Sequence, residues 1–381
     1  MSVICMVVVA LVTMAMVVVL SAFNGIDSLI DERYSYFDTD ISILPLTSKV
    51  IKAGEMNCDE IKAIDGVASC HRVIEERVFA EYDNNQRIVK VKGVEKGFFP
   101  QSRLDTMIIG GKGVMELENN PAAIVGVGVK YDLDLQLFEQ VFNPLRLSAV
   151  VRGKNLRRDM EQALNKKNIP VAGIFSINID FDSEYVIVPI DFAADLLGYS
   201  DEVSMLELQL SPGANLADVK TEIENLLGAD YQVRTRYEKN ELIYKTNRTE
   251  KWATFLIMGF ILLIATFNII AALTLLINEK RDDIKTLASL GAPASLIKRV
   301  FFFEGALINF VGALVGLVLG FLFVILQQNL GLIRLEGGLV PYYPVEIALP
   351  DLLAVFGLVL TCGILSSILP VQFFTRKYTD L

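Results

Sequence analysis

The 381-residue chain has little of what an enzyme active site needs, beginning with a single histidine, His71. One histidine cannot supply a histidine metal cluster, and a lone histidine is more often a packing residue than a catalytic base. The sequence also has no Gly-x-Ser-x-Gly, His-Glu-x-x-His, Cys-x-x-Cys or Gly-x-x-x-x-Gly-Lys-Ser/Thr motif. We therefore expect no catalytic residue, no metal ligand and no nucleotide-binding loop in this chain.

An excess of basic residues is also missing, since 35 Lys and Arg stand against 45 Asp and Glu for a net charge of −10. A nucleic-acid-binding protein needs a basic face, so this class is excluded. The acidic excess lies in residues 27–250, which hold 37 acidic and 26 basic side chains. With 52% hydrophobic and 21% charged residues, the composition excludes a purely soluble or disordered chain and indicates an acidic domain attached to membrane segments.

Charge is absent from four long stretches, residues 1–26, 252–278, 305–333 and 352–375. Each exceeds the ~20 apolar residues that a membrane-spanning helix requires. The first stretch is too long for a signal-peptide core and has no basic residue before it, so a retained helix is favoured. We predict an α+β membrane protein in which four transmembrane helices accompany a large α/β extracytoplasmic domain between the first and second helices. The predicted boundaries are 2–24, 252–278, 300–328 and 351–374 for the helices, 25–250 for the domain, 279–299 for a cytoplasmic loop, 329–350 for a short outer loop and 375–381 for a cytoplasmic tail.

Orientation follows from the basic residues of the short loops. Residues 279–299 contain five Lys and Arg, whereas residues 329–350 contain only Arg334. This asymmetry places the 279–299 loop and both termini in the cytoplasm. Long translocated domains largely escape the rule, so we give less weight to the basic residues before the second helix, which point the other way: Lys239, Lys245, Arg248 and Lys251.

The segment between the first two helices alternates between strand and helix patterns. A β-hairpin is predicted over residues 67–82 and 87–94, a helix over 124–132 and an amphipathic helix over 216–227, with a loose region at 95–120. These elements suggest two βαβ-like halves around a central β segment.

The four cysteines form two pairs by location. Cys5 and Cys362 lie in apolar stretches, where a free cysteine behaves as a small hydrophobic residue. Cys58 and Cys70 lie in the extracytoplasmic segment, where a disulfide can form. A bridge between them and two free thiols remain equally open, because the sequence does not give their geometry.

Two patterns in the C-terminal part indicate contacts between helices. Gly312, Gly316 and Gly320 recur every four residues, which allows a neighbouring helix to approach closely. Asn268 lies in the middle of the second apolar stretch, where a polar side chain is expected to have an interhelical partner.

The 279–299 loop contains a short amphipathic helix pattern. Ile284, Leu287, Ala288 and Gly291 fall on one helical face, Gly291 suits a helix end and Pro293 suits the first turn of the next helix. Such a helix is either a solvated connector on the lipid surface or a short element that docks in a groove of a cytoplasmic partner. The pattern alone leaves both interpretations open.

Several of these segments resemble the lipoprotein-releasing ABC permeases of the LolC/LolE type, within a wider group of FtsX-like and macrolide-exporter-like permeases. The similar segments are residues 18–25, 171–175, 250–255, 267–270, 285–292 and 303–305. The resemblance spans nearly the whole chain and implies the topology that charge and hydropathy give independently. Members of this group usually carry a basic amphipathic stretch before the first helix, whereas Met1 adjoins the helix here, so we expect either an upstream start or a missing stretch.

The resemblance implies a non-enzymatic permease subunit in the bacterial inner membrane, with a periplasmic domain. Its expected partners are a cytoplasmic ATPase dimer that uses ATP and Mg, a second permease copy or homologue, membrane lipids, a lipoprotein substrate and a periplasmic carrier. No cofactor is expected on this chain. The alternatives are a macrolide-exporter-like efflux permease and an FtsX-like regulator. The residues expected to couple to the ATPase are Lys280, Asp283, Ile284, Lys285, Leu287, Ala288, Leu290 and Gly291.

Overall fold

The computed structural model describes residues 2–52, 54, 56–98, 103–137, 144–150, 164–335 and 340–379. The chain divides into two compact units. Met1–Ile30 and Leu242–Leu381 form the first, which we call the helical unit, and Asp31–Glu241 form the second, which we call the sheet unit.

The elements alternate along the sheet unit and are helical elsewhere. The helices are α1 (Ser2–Ser35), α2 (Cys58–Lys62), α3 (Val127–Leu133), α4 (Ile179–Glu184), α5 (Ile190–Leu197), α6 (Leu216–Leu227), α7 (Arg236–Lys239), α8 (Glu241–Glu279), α9 (Arg281–Ser289), α10 (Ala294–Leu330) and α11 (Leu349–Thr379). The strands are β1 (Ile41–Pro45), β2 (Val67–Tyr82), β3 (Asn85–Val94), β4 (Ile108–Gly111), β5 (Glu116–Leu117), β6 (Asn120–Pro121), β7 (Ala123–Gly126), β8 (Leu145–Val150), β9 (Leu164–Ile169), β10 (Val171–Phe175), β11 (Tyr185–Pro189), β12 (Met205–Leu210) and β13 (Tyr231–Thr235).

In the described part of the chain, four helices are long and apolar enough to cross a membrane: α1, α8, α10 and α11. They share one apolar core, to which Val9, Leu262, Ile308 and Val355 contribute from successive helices. α1 and α8 extend beyond the uncharged stretches that predict them, because charged and polar residues continue both helices without a helix breaker.

The sheet unit is built on one mixed sheet in the order β13-β1-β12-β2-β3-β11-β7-β10-β4. β2 and β3 form the predicted hairpin, in register from Val73 opposite Val94 to Tyr82 opposite Asn85. The β8–β9 hairpin pairs with the far half of β2, where Phe79 lies opposite Ser148. β1 and β13, through which the chain enters and leaves the sheet, are antiparallel neighbours.

The predicted fold class is confirmed, but the sketch of two βαβ-like halves is wrong. One sheet holds all described strands except β5 and β6, which pair with each other, and most of the neighbouring pairs in that sheet are antiparallel. The predicted helix at 124–132 starts late, because Ala123–Gly126 form a fully buried strand between β11 and β10. The region at 95–120 contains β4, β5 and part of β6 rather than only loops.

Cys58 and Cys70 form a disulfide with their Cα atoms 5.6 Å apart. The bridge joins the start of α2 to β2, and both elements belong to the sheet unit. Cys5 and Cys362 are free.

Candidate functional site

The site that the sequence singles out lies in the helical unit, where α9 connects α8 to α10. α9 is followed by Gly291, whose φ of +89° is left-handed and strained for residues that carry a Cβ. The backbone N–H of Ala292 donates to the carbonyl of Leu287 at 3.0 Å and closes the last turn. Pro293 occupies the N-cap position of α10, one residue before the predicted first turn.

Ile284 attaches α9 to the rest of the helical unit. Its side chain is only 2% exposed and packs in a cluster with Ile277 of α8, Ile297 and Phe301 of α10, and Val371 of α11. Full burial of such a side chain contributes about 1.5–3 kcal/mol. Ile284 is one of the residues expected to couple to the ATPase, and its side chain is covered by the chain's own helices.

Two leucines of α9 and the turn after it are exposed to solvent. Leu287 is 50% exposed and Leu290, which lies outside the predicted apolar face, is 80% exposed. The side chain of Ala288 lies outside the described residues. α9 thus presents exposed apolar side chains, while the buried side chain of Ile284 fixes it within the helical unit.

A groove of about 290 Å³ adjoins this edge. Its apolar lining comes mainly from α9 and the first turns of α10, and Lys280, Asp283 and Glu304 add charge. We call Leu287, Leu290 and the groove-lining residues Leu296 and Val300 the coupling surface.

The charged side chains of α9 pair with one another at the solvent-exposed side. Lys280 Nζ lies 3.0 Å from Asp283 Oδ2, and Lys285 Nζ lies 3.7 Å from Asp282 Oδ1. Exposed pairs of this kind contribute only ~0–1 kcal/mol to stability. Together with the apolar edge they make the arrangement typical of a protein interface, an apolar centre within a polar rim.

The predicted glycine row lies against α1. A Cβ at Gly312 would be 2.9 Å from the carbonyl oxygen of Met6, and one at Gly320 would be 2.9 Å from Cβ of Val17. A Cβ at Gly316 would collide with the carbonyl of Ala10. α1 and α10 therefore approach so closely that side chains at these three positions would separate them.

Asn268 lies on the outer face of α8 and not between the helices of this chain. Its side chain is exposed, and the structure gives it no hydrogen bond with another described residue; its backbone carbonyl accepts a contact from Cys5 Sγ at 3.4 Å. Asn309 of α10, by contrast, is 2% exposed and joins two helices, because its Nδ2 donates to the carbonyl of Val359 on α11 at 2.9 Å. In the sequence, Asn268 and Asn309 are each a single amide in an otherwise apolar run. This pattern therefore indicates an interhelical contact equally strongly at both positions.

Sequence reasoning also missed a polar cluster that joins α1, α8 and α11. Lys251 Nζ donates to Asn24 Oδ1 at 2.7 Å and to Asp351 Oδ2 at 2.8 Å. Asn24 Nδ2 donates to the same Asp351 oxygen at 2.8 Å. One helical turn away Asn247 donates to Asp27, which explains why this residue, the first of an Asn-Arg-Thr glycosylation match, is buried.

The single histidine has a packing role in the sheet unit. His71 is buried, with its ring edge-on to Phe98, and its Nδ1 lies 3.7 Å from Glu95 Oε2. Interaction with His71, assisted by hydrogen bonds from Arg72 and opposed by burial, lowers the pKa of Glu95 to about 2. In the described residues, no group of three or more His, Cys, Asp or Glu side chains could hold a metal ion.

In comparisons with known proteins, two family models match different parts of the chain, and individual relatives match most of it. Residues 255–379 match the FtsX-like permease C-terminal family, and residues 2–226 match the MacB-like periplasmic core domain family. The lipoprotein-releasing system transmembrane protein LolE of Haemophilus influenzae is 21% identical over 96% of this chain and 89% of its own. LolC of Buchnera aphidicola is 22% identical over 76% of this chain and 80% of its own. The periplasmic region of MacB from Actinobacillus actinomycetemcomitans aligns with 54% of this chain and 92% of its own at 10% identity, with a TM-score of 0.36.

Proposed function

The chain belongs to the FtsX/MacB superfamily of ABC permeases as a permease of the LolC/LolE type, and from this premise we propose that it extracts lipoproteins from the outer leaflet of the bacterial inner membrane. In this proposal it works with a cytoplasmic ATPase dimer and with a second permease copy or homologue. Both termini lie in the cytoplasm, the sheet unit lies in the periplasm, and a periplasmic carrier receives the lipoprotein.

The observation that carries the proposal is the coupling surface. Leu287 of α9 and Leu290 in the turn after it are exposed apolar residues beside a groove, and Ile284 anchors the same helix in the helical unit. A solvated connector needs neither the buried anchor nor the exposed edge. We assign the docking role to Lys280, Asp283, Lys285, Leu287, Ala288, Leu290 and Gly291, and an anchoring role to Ile284.

The proposed mechanism assigns ATP and Mg to the ATPase partner and mechanical work to this chain. Closure of the ATPase dimer displaces α9 through the coupling surface. Because Ile284 packs with residues of α8, α10 and α11, α9 cannot move independently of these helices. The sheet unit, which lies between α1 and α8 in the chain, then receives the movement through its two connections.

A release assay in proteoliposomes tests this function. The permease is purified with the ATPase and second permease that accompany it and reconstituted with a fluorescent acylated lipoprotein and a soluble carrier. We expect ATP to move the lipoprotein onto the carrier, and a non-hydrolysable ATP analogue to leave it in the membrane.

The alternatives give different results in the same assay. An efflux permease hydrolyses ATP faster with a macrolide or a peptide than with a lipoprotein, and a regulator moves neither. Either result would contradict the proposed substrate while leaving the assignment to the superfamily unchanged.

A further inference from the structure

The sheet unit contains a cluster of charged side chains that its fold does not need for solubility. Lys92 of β3 and Glu207 of β12 are both 0% exposed, and Asp38, which follows α1, is equally hidden from solvent. Lys239 of α7 completes the cluster and is partly buried. Charged residues are almost never fully buried unless they are paired, and here two cations face two anions.

The four charges alternate in sign along a continuous chain of contacts. Lys92 Nζ lies 3.0 Å from Glu207 Oε2, Glu207 Oε1 lies 3.3 Å from Lys239 Nζ, and Lys239 Nζ lies 2.6 Å from Asp38 Oδ1. Asn240 Nδ2 donates to the second oxygen of Asp38 at 2.8 Å. Every charge therefore has an opposite charge as its neighbour.

Asp38 and Lys239 stay ionised at neutral pH. Burial alone would raise the pKa of Asp38, but Lys239 and Lys92 hold that pKa below its ordinary value. Burial alone would lower the pKa of Lys239, but Asp38 and Glu207 raise that pKa well above its ordinary value. The contact between Lys239 and Asp38 is thus a charge-assisted hydrogen bond, and such bonds are about twice as strong as neutral ones.

The position of the cluster in the chain is its most informative property. Asp38 belongs to the incoming segment, residues 36–40, and Lys239 belongs to the outgoing segment, residues 236–240. Lys92 and Glu207 lie on central strands of the sheet. The cluster thus joins the two segments to each other and both to the sheet.

A second contact joins the same segments. Arg236 Nη2 lies 2.5 Å from Asp40 Oδ1, and Asp40 also accepts hydrogen bonds from Gln209 Nε2 and the backbone N–H of Leu210 on β12. The two segments are therefore attached to each other at two places, and each is attached to β12, the incoming one through Asp40 and the outgoing one through Lys239.

Stability alone does not account for this arrangement. Replacing a buried ion pair with well-packed apolar residues is often neutral or stabilising, because the charges must be desolvated. Apolar contacts, however, are non-directional, whereas a hydrogen-bonded charge network fixes its members at defined distances and angles. The network therefore supplies positional control at the two points where force can enter the sheet unit.

We propose that Asp38, Lys239, Glu207 and Lys92 form a mechanical clamp that makes the incoming and outgoing segments move together with the central sheet. Displacement arriving through either connection then moves the sheet unit as one body. The source of the displacement rests on the proposed function, whereas the clamp itself is a property of the sheet unit.

The test compares two charge-neutral double variants of the full chain, purified with its ATPase. Asp38→Leu with Lys239→Met removes one pair of the clamp, and Lys96→Met with Glu116→Leu removes an exposed pair of the same unit whose Nζ–Oε1 distance is 2.6 Å. Hydrogen–deuterium exchange of residues 36–40 and 236–240 reports the clamp, and lipoprotein release at a measured ATPase rate reports transmission.

We expect the clamp variant to exchange about tenfold faster in both segments and to release about tenfold less lipoprotein per ATP hydrolysed. Its basal ATPase rate should equal that of the wild type and of the surface-pair variant. Lys239→Arg keeps the positive charge, so this single variant should release much more lipoprotein per ATP than the clamp variant and nearly as much as the wild type.

Two results would overturn the proposal: unchanged exchange in either segment, or wild-type release per ATP in spite of rapid exchange.

If the double variant does not reach the membrane, Asn240→Ala is tested instead, because it removes one neutral hydrogen bond on Asp38. This variant should show the same changes in exchange and release, but smaller ones. No change in its exchange would contradict the clamp. A wild-type complex that releases no lipoprotein would contradict the proposed function, and the exchange comparison would still decide the clamp.

Discussion

Ile284 and Leu287 lie less than one helical turn apart on α9, yet one is 2% and the other 50% exposed. Sequence periodicity places both on one face and cannot separate them, because the groups that cover Ile284 come from three other helices. The distinction matters for function, since one residue anchors α9 and the other is free to contact a partner.

At the same scale, Glu95 makes the stability of the sheet unit depend on pH. Its pKa falls from 4.5 to about 2 on folding, so the stabilisation is present above pH 4.5 and is lost as the pH falls towards 2. We expect the melting temperature of the full chain in detergent to decrease over this interval. Glu95→Gln should lower the melting temperature near pH 7. It should also make the fall in melting temperature between pH 4.5 and 2 smaller than in the wild type. An identical acid profile in the variant would show that other carboxylates control the transition.

Single polar residues in apolar helices illustrate where sequence reasoning reaches its limit. Asn268 and Asn309 look alike in the sequence, but only Asn309 is buried between helices. Helical rotation relative to the neighbours decides between them, and that rotation is set by packing rather than by the residue itself.

Among the elements, the glycine row of α10 predicted a close contact with another helix. The sequence did not identify α1 as that helix. Three glycines at four-residue spacing indicate a close approach whatever the partner is. Similarly, the β2–β3 hairpin and α6 appear near their predicted positions because their signals are local. The late start of α3 was not predictable, since residues 123–126 become a strand only through pairing with β10 and β11.

The glycine contact predicts the effect of one substitution. Gly316→Leu should separate α1 from α10, because even a Cβ at this position collides with Ala10. Overpacking commonly costs ~1–3 kcal/mol, so we expect a lower melting temperature in detergent and a lower yield of complex. Gly357→Leu is the matched control, since nothing lies within 4 Å of a Cβ there. Equal stability of the two variants would exclude the glycine row as a contact that matters.

For the whole molecule, the arrangement across the membrane rests on the basic residues of the short loops. Four basic residues before the apolar stretch 252–278 point the other way, but they belong to a long segment, and long translocated segments largely escape the rule. The 279–299 loop therefore gives the clearest signal.

Cysteine accessibility measures this topology. In a chain with Cys5 and Cys362 replaced by Ala, a membrane-impermeant maleimide should label Asn120→Cys in intact cells with a permeable outer membrane. Asp282→Cys should be labelled only after the inner membrane is opened. Labelling of position 282 in intact cells would reverse the orientation.

The most direct measurement of the central claim is the amount of ATPase that co-purifies with two α9 variants and one control. Leu287→Asp places a charge on the exposed edge, where a covering partner surface would leave it unpaired. Leu46→Asp makes the same change at an exposed leucine of the sheet unit, and Lys298→Ala tests a residue further along the chain. We expect all three to insert and fold, Leu287→Asp to lose the ATPase and lipoprotein-stimulated hydrolysis, Lys298→Ala to lose less, and Leu46→Asp to keep both. A Leu287→Asp chain that retains stoichiometric ATPase and normal stimulated turnover would contradict the account, because α9 would then be only a connector.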